Sequence, residues 1–258
     1  MRKKRILFCS EATFLNTGYA TYTREILNYL HGTGKYEIAE MASYGSPEDP
    51  RANTIPWKYY PVIPSKNAPP EQHKLYENKG TNQFGEWIFE QVCLDFLPDV
   101  VCDIRDFWML DFAERSPYRP FFKWAIMPTV DARPQARQWV STYQSADACF
   151  TYSDWAGEVL KDQSGGLIKY MGSSPPSAHP AYNPVEDKNN HKQLFGIDPK
   201  FKIIGTVMRN QRRKLYPDLF EAFRIFLDKS ESKDYYLYCH TSYPDLRSEE
   251  HTSELQSH

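Results

Sequence analysis

Short apolar runs alternate along this chain with longer amphipathic ones. A brief apolar run is typical of a buried strand, and an apolar stripe at helical spacing is typical of a helix. The first helix is predicted from about Gly18, and its stripe consists of Tyr19, Tyr22, Ile26 and Leu30. Strands are predicted in RILFCS, YEIAEMAS, DVVCDI, FFKWAIM, ACFTY and GLIKYM, and further helices in TNQFGEWIFEQVCLDFL, PQARQWVSTYQ and SDWAGEVLKD, the last of which Ser153 could cap.

This alternation predicts an α/β fold. Strands that alternate with helices, each strand a short apolar run, favour a parallel sheet covered on both faces. Residues 1–172 are therefore predicted to form a Rossmann-like domain. Inside it, residues 45–80 are rich in Pro, Tyr, Asn and Lys and show no clear period. That pattern predicts a long loop, and such loops are usually functional or mobile.

The pattern changes after the last of these strands. Residues 173–200 are rich in Pro, Ser and Asn, which predicts an interdomain linker. The alternation restarts in 201–246 with a strand in FKIIGTVM, a helix from Pro217 to Leu227 and a strand in YYLYCH. These elements predict the first βαβ portion of a second Rossmann-like domain.

Composition narrows the class of protein. The chain has 258 residues, 41% of them hydrophobic, which is enough for two domains with cores. The formal net charge of −2 comes entirely from the last twelve residues, so the rest of the chain is neutral and has no bulk electrostatic reason to bind nucleic acid. The five cysteines form no CxxC pair and the histidines no HExxH spacing, so we expect buried, reduced cysteines and no metal site.

The targeting signals of the chain are weak. The apolar run after MRKKR is too short for the core of a signal peptide, and no stretch approaches the length of a membrane span. We therefore expect a cytoplasmic protein without a transmembrane segment, and peripheral membrane contact stays open.

The last residues, 247–258, do not match the composition of the rest. RSEEHTSELQS resembles one reading frame of a common sequencing-adapter oligonucleotide over eleven consecutive residues. We interpret 247–258 as an artefact tail and exclude it from fold reasoning. On this interpretation, the natural reading frame continues past Leu246 and the second domain is truncated.

The main chemical candidate is a basic turn between the strand ending near Met208 and the helix at Pro217. Its four cations are Arg209, Arg212, Arg213 and Lys214. A strand-to-helix turn in a parallel sheet lies at the carboxyl edge, where the next helix offers free N–H groups to an anion. Arginine suits bidentate phosphate contacts and lysine supplies a point charge. On these residues alone, a diphosphate site and a solvated loop are equally good interpretations.

The order of several motifs resembles GT-B glycosyltransferases of the retaining family 4. GTVMRNQRRK…PDLFEAFRIFL is similar to the start of that family's nucleotide-binding domain. IMPTVDARPQARQWVSTYQSADACFTYSDWAGEVL is similar to the end of its first domain, and NTGYATYTREI to its glycine loop. The resemblance implies a GT-B fold and transfer of a sugar from a nucleotide-diphosphate sugar to a saccharide or other hydroxyl acceptor. It also implies retention of configuration, no metal and no cofactor.

The resemblance implies roles for individual residues. Arg209, Lys214, Arg213 and Gly18 fall where the family binds the donor diphosphate. Asn16, Thr17, Asp131 and Ser153 fall on the acceptor side of the cleft, with Trp155 beside Ser153 as the aromatic partner. Asp131 could instead cap the following helix, and Gly18 could be a simple N-cap. Trp57, Tyr59 and Tyr60 could stack on a sugar ring or pack the long loop down, and Arg105 with Asp106 is expected to form a structural ion pair.

The chain also departs from the family pattern. The His-Gly turn that normally follows the first domain is absent, and the family's Lys-Gly pair is here Lys214 and Leu215. The family's two glutamates would lie beyond Leu246, so the catalytic residues are unknown and we expect this chain to be inactive by itself. Two alternatives remain. One is a non-catalytic sugar- or nucleotide-binding protein on the same scaffold; the other, disfavoured because no GxGxxG follows the first strand, is a nicotinamide-dependent oxidoreductase.

Overall fold

The computed structural model describes residues 2–178 and 182–241, and it confirms the α/β class. The chain divides into two compact units between Ser177 and Ala178. In the first unit, seven strands form one parallel sheet in the order β3-β2-β1-β4-β5-β6-β7. The strands are β1 Lys4–Glu11, β2 Tyr36–Ser43, β3 Lys58–Pro61, β4 Val100–Asp103, β5 Lys123–Ile126, β6 Ala148–Thr151 and β7 Tyr170–Ser173.

Helices connect these strands and cover the sheet. They are α1 Gly18–Gly32, α2 Pro70–Glu77, α3 Glu86–Phe96, α4 Phe112–Arg115, α5 Arg137–Ser145 and α6 Asp154–Gln163. The larger core cluster packs α3 and α5 against the sheet around Trp124, while a smaller cluster packs α1 against Phe8 and Ile38. Both clusters consist of the apolar runs that predicted the elements, because burying those runs is the main favourable term in folding.

The segment 45–80 is more ordered than its sequence predicts. It contains a 3-10 turn at Pro50–Thr54, the edge strand β3 and helix α2. The prediction of a loop without secondary structure was therefore wrong. Each of these elements is too short to show a hydrophobic period, and β3 has only one sheet neighbour.

Two predicted elements have different bounds in the structure. The helix predicted to begin at Thr81 begins at Glu86, after a 3-10 turn and Gly85 at φ 103°. The backbone conformation of Gly85 is one that other residues rarely adopt, and a Cβ there would also lie 2.6 Å from Met41 Cε, so the backbone favours glycine at this position. The strand predicted in 166–171 lies later, at β7, because the chain leaves α6 through Gly165 and Gly166, both at positive φ.

The second unit contains fewer elements within the residues described. Strands β8 Lys202–Val207 and β9 Tyr235–His240 pair in parallel, and α8 Tyr216–Lys229 connects them. Helix α7 Lys188–Leu194 lies inside the interval 173–200 that the sequence predicts to be a linker. Most side chains of β8 are exposed, in contrast to the buried strands of the first unit. Leu246 and the interval 247–258, interpreted as an artefact tail, lie outside the described residues.

Candidate functional site

The connection from β1 to α1 forms a fixed loop at the carboxyl edge of the first sheet. The hydroxyl of Thr13 donates to Glu40 Oε2 at 2.8 Å, and Arg24 donates to the Thr13 carbonyl at 2.9 Å. The guanidinium of Arg51 lies 4.7 Å from the ring centroid of Phe14. These contacts bring the chain to Thr17, which is the N-cap of α1 and accepts from the N–H of Ala20. The cap interpretation of Gly18 is therefore wrong, because Gly18 is the first residue of the helix.

A cleft of about 600 Å³ opens beside this helix start. Its lining includes three residues singled out from the sequence, namely Asn16, Thr17 and Gly18, together with Ser174 and Ser177. Gly18 has no positive φ, and a Cβ there would meet no atom within 4 Å. Neither backbone conformation nor packing within the described residues requires glycine at this position, so a side chain would project into open space.

A group of tyrosines and carboxylates that sequence reasoning missed lies at the same edge. The hydroxyls of Tyr19 and Thr129 are 2.6 Å apart, and the rings of Tyr22 and Tyr152 meet edge to face at 5.3 Å. Burial raises the pKa of Tyr19 well above its usual value; the contact with Thr129 opposes this effect and the Asp106 carboxylate adds to it. The phenol therefore remains protonated and can donate a hydrogen bond at neutral pH.

The sequence contained a signal for this group. Asp106 follows β4 by three residues and Glu11 is the last residue of β1, so both lie at the carboxyl edge of the sheet. The charges of Asp106 and Glu11 both raise the pKa of Tyr19. The sequence analysis assigned Tyr19 only to the apolar stripe of α1, so its hydroxyl group was not considered as a functional group.

The prediction that Arg105 forms an ion pair with Asp106 was wrong, because the partner of Arg105 is a different aspartate. Arg105 pairs with Asp103, and both side chains are fully buried. Arg105 also donates to the Phe84 carbonyl at 2.6 Å, while Trp124 Nε1 donates to Asp103 at 2.7 Å. Burial raises the pKa of Asp103, against the opposing effects of the Arg105 charge and the Trp124 hydrogen bond. The structural role is confirmed: the pair holds β4 to the β5 strand and to the turn before α3.

The other two predicted acceptor-side residues lie outside the lining of the 600 Å³ cleft. Asp131 is exposed in the connection between β5 and α5, and it does not cap α5, whose N-cap is Ala136. Ser153 caps α6 as predicted, accepting from the N–H of Ala156 at 3.2 Å. Its hydroxyl is thus already used in starting the helix, although Ser153 is exposed.

The three aromatic residues of the segment 45–80 have polar partners inside the first unit. Trp57 Nε1 donates to Glu40 at 3.0 Å, Tyr59 to the Ser46 carbonyl at 3.2 Å and Tyr60 to Asp95 at 2.5 Å. Burial raises the pKa of Glu40, against the lowering effect of its hydrogen bonds from Thr13 and Trp57. These contacts support the second of the two interpretations, in which the aromatic side chains pack the segment down.

The basic turn of the second unit follows β8 directly. Arg209, Arg212 and Arg213 are exposed and Lys214 is half-buried. The side chains of Arg212 and Lys214 form no ion pair with any other residue that the structure describes. Arg213 Nε donates to Gln211 at 3.2 Å. The four cations are therefore concentrated in one turn, and two of them, Arg212 and Lys214, have no neutralising carboxylate among the described residues.

The start of α8 leaves backbone donors available near this turn. Leu215, at φ 54° and ψ 46°, precedes the helix and provides no side-chain cap, and Pro217 lies in the first helical turn. Tyr216 fixes the geometry, because its hydroxyl donates to the Met208 carbonyl at 2.9 Å. The first N–H groups of a helix have no partner within the helix and favour an anion. Leu215, the residue after Lys214, thus has a left-handed backbone conformation.

Metal clusters and membrane-spanning helices are both absent from the part of the chain that the structure describes. Among residues 2–178 and 182–241, no group of three or more His, Cys, Asp or Glu side chains could hold a metal ion. No helix in the same ranges combines the length and apolar character needed to cross a membrane.

Comparison with known proteins identifies the fold. No protein-family model and no curated protein sequence matches the chain. Among solved structures, the α,α-trehalose 6-phosphate synthase of Burkholderia multivorans matches with a TM-score of 0.63 at 12% identity, over 99% of this chain and 68% of that one. The UDP-GlcNAc 2-epimerase of Neisseria meningitidis, solved with bound UDP-GlcNAc, gives 0.55 at 12% identity, over 99% and 70%. The S. aureus MnaA–UDP co-structure gives 0.56 at 15% identity, over 100% and 67%.

These similarities cover nearly the whole chain and define its fold class. The chain has an α/β fold of the GT-B type, with a Rossmann-like parallel sheet in its first unit. At identities of 12 to 15%, the neighbours share the fold and little of the residue detail.

Proposed function

We propose that this chain belongs to a glycosyltransferase that moves a sugar from a nucleotide-diphosphate donor to an acceptor hydroxyl. The observation that carries the proposal is the basic turn: four cations directly after a parallel strand, next to an uncapped helix start, in a chain with a GT-B fold. A diphosphate needs such a concentration of donors and positive charge. The proposed reaction retains configuration and needs no metal or cofactor, as the family resemblance implies.

The proposal gives each residue a defined part. Arg209 and Lys214 bind the two phosphates, with Arg213 beside them, and they stabilise the charge that develops on the leaving diphosphate. In the first unit, Gly18 allows close approach of the donor to the start of α1, while Asn16 and Thr17 offer polar groups to the substrates. Asp131 and Ser153 contact the acceptor. The Ser153 hydroxyl already accepts the hydrogen bond that caps α6, so only its remaining hydrogen-bonding capacity is open to the acceptor.

A nucleotide-sugar epimerase is the second candidate. It is favoured by one observation, the UDP-GlcNAc-bound epimerase among the structural neighbours. Both candidates require the diphosphate site, so they differ only in the chemistry of the bound sugar nucleotide. An NMR spectrum of UDP-GlcNAc incubated with the protein separates them, because only an epimerase forms the 2-epimer without an acceptor.

The diphosphate site is tested by calorimetric titration of this chain with UDP and UMP. We expect UDP to bind more tightly than UMP, with no change on adding a chelator. Replacing both Arg209 and Lys214 by Ala should weaken UDP binding by at least about 100-fold, since a hydrogen bond to a charged group contributes about 1.5–3 kcal/mol.

The matched control for this experiment is Lys229→Ala, which removes one exposed cation from the far end of the same helix. It should leave UDP affinity unchanged. Equal UDP affinity in the double variant and the control would remove the basis of the proposed function.

A further inference from the structure

An exposed apolar cleft of about 410 Å³ lies at the opposite, amino edge of the first sheet. Its lining includes Leu94 and Leu97 from the end of α3 and Phe121 from the turn before β5. Phe121 is 79% exposed and Leu97 is 57% exposed. Asn16, Thr17 and Gly18, the proposed site residues before α1 in the same unit, lie at the carboxyl edge of this sheet, so the apolar cleft is separate from them.

Leu97 holds a backbone conformation that leucine rarely adopts. It ends α3 at φ 52° and ψ 62°, in the left-handed region. Such a conformation costs a non-glycine residue free energy, and glycine is the usual residue at this helix position. The chain nevertheless places an apolar side chain there and leaves it more than half exposed.

Cations surround the cleft in excess of carboxylates. Arg2 and Lys4 share Asp99, at 2.8 and 3.4 Å, while Arg119 and Lys123 share Asp147, at 2.9 and 3.1 Å. Two carboxylates therefore face four cations, and exposed Lys3 adds a fifth.

Three of these four cations, Arg2, Lys4 and Lys123, are also more exposed than the carboxylates they pair with. The side chain of Lys123 is 76% exposed, and that of Asp147 is 22% exposed. Lys4 and Arg2 are likewise more exposed than Asp99. An approaching surface would meet positive charge and apolar side chains before it met either carboxylate.

This combination fits a lipid surface better than a protein partner. The core of a protein interface is depleted in lysine, whereas three of the five cations here are lysines. An interfacial membrane site combines apolar side chains that enter the headgroup boundary with lysine and arginine that contact anionic lipids. Exposed Phe121 and Leu97 line the cleft together with Arg2, while Lys4 pairs with the lining residue Asp99 and Lys123 follows the lining residue Phe122. This is the same combination of side chains.

We propose that the amino edge of the first sheet docks on an anionic lipid membrane. Phe121 and Leu97 enter the headgroup boundary, and Arg2, Lys4 and Lys123 contact lipid phosphates. Docking through this edge leaves the cleft at the carboxyl edge of the same sheet accessible. The proposal does not depend on the glycosyltransferase function.

The test is co-sedimentation of the whole chain with phosphatidylcholine vesicles, with and without about 30% phosphatidylserine. We expect binding only to the vesicles that contain phosphatidylserine, and weaker binding as salt is raised, because salt screens the attraction. Binding that is equal for both vesicles, or absent from both, would overturn the proposal.

Two variants assign the binding to this surface. Phe121→Ser and Leu97→Gly should each reduce binding several-fold, since each removes an apolar group from the headgroup boundary. Leu97→Gly should fold at least as stably as the original chain, because glycine accepts the left-handed backbone. The control is Trp108→Ser, which changes an exposed apolar residue after β4, at the carboxyl edge of the same sheet, and should leave binding unchanged.

A second readout separates the membrane from self-association. Analytical ultracentrifugation of the chain without vesicles should show one species, and Phe121→Ser should not change it. Dimers that Phe121→Ser dissociates, without vesicle binding, would make this edge an interface between copies and refute the membrane proposal. UDP binding by Phe121→Ser should equal that of the original chain.

Discussion

Arg105 and the basic turn at residues 209–214 both follow a parallel strand, yet one lies in the core and the other at the surface. Arg105 follows β4 and is fully buried against Asp103, with a further hydrogen bond to the Phe84 carbonyl. In the turn after β8, Arg212 is exposed and forms no ion pair within the described chain. Residue type and position after a strand are therefore not enough to assign a cation to a site.

The difference lies in the surroundings of each charge. A buried guanidinium requires a carboxylate and hydrogen bonds, since the cost of removing it from water is large. An exposed one keeps its hydration and stays available to a ligand. The first helices that follow β1 and β8 differ in the same way at their N-termini. The Thr17 side chain caps α1, whereas no side chain caps α8.

The largest effect is expected from Arg105→Met. The variant leaves the Asp103 carboxylate buried with only the Trp124 hydrogen bond, so the free energy of unfolding should fall by about 3–5 kcal/mol. Denaturant unfolding followed by tryptophan fluorescence measures it, because all six tryptophans lie in the first unit.

Two further variants make this result specific. Arg212→Met should change the stability of the first unit by less than about 0.5 kcal/mol, as for an ordinary surface substitution. Adding Asp103→Asn to Arg105→Met should recover part of the loss, since it removes the uncompensated charge. If Arg105→Met costs no more than Arg212→Met, the contrast between a structural and an available cation is wrong.

The sequence predicted the strands of the first unit well but the partner of Arg105 badly. Apolar runs such as RILFCS and YEIAEMAS are directly visible, and each became a strand of the sheet. Asp103 and Arg105 are separated by one residue, so in an extended chain they share a face, as Arg105 and Asp106 do not. The sequence spacing alone could therefore have indicated the pair of Asp103 and Arg105. The burial of both side chains could not be predicted in this way, because it depends on α3 and β5, which are distant in sequence.

The candidate site could be predicted from the sequence only in part, for a similar reason. Asn16, Thr17 and Gly18 line one cleft, because a loop after a first strand must lie at the carboxyl edge. Tyr19 was missed, since its contact with Thr129 joins residues 110 positions apart. Such pairs depend on the tertiary arrangement of the sheet, and no local pattern encodes them.

A smaller effect is expected from Thr17→Ala, which tests the capped turn. Loss of the hydrogen bond to the Ala20 N–H should lower the free energy of unfolding of the first unit by about 1 kcal/mol. Thr21→Ala, an exposed change one turn further along α1, is the matched control and should be neutral or slightly stabilising. Tryptophan fluorescence again reports the difference, and equal effects of the two substitutions would contradict the cap.

The smallest effect is expected from Leu215→Gly, which tests the uncapped turn. Glycine relieves the left-handed backbone at φ 54° but adds entropy to the unfolded chain, so the net stabilisation should be about 0.5–1 kcal/mol. The second unit contains no tryptophan, so hydrogen exchange of the α8 amides is the measurement. Their exchange should slow by roughly twofold to fivefold. Leu219→Gly, inside the same helix, should have the opposite sign, because glycine destabilises a helix interior by about 0.5–1 kcal/mol. Faster exchange in both variants would show that the leucine at 215 is held by packing that outweighs its backbone strain.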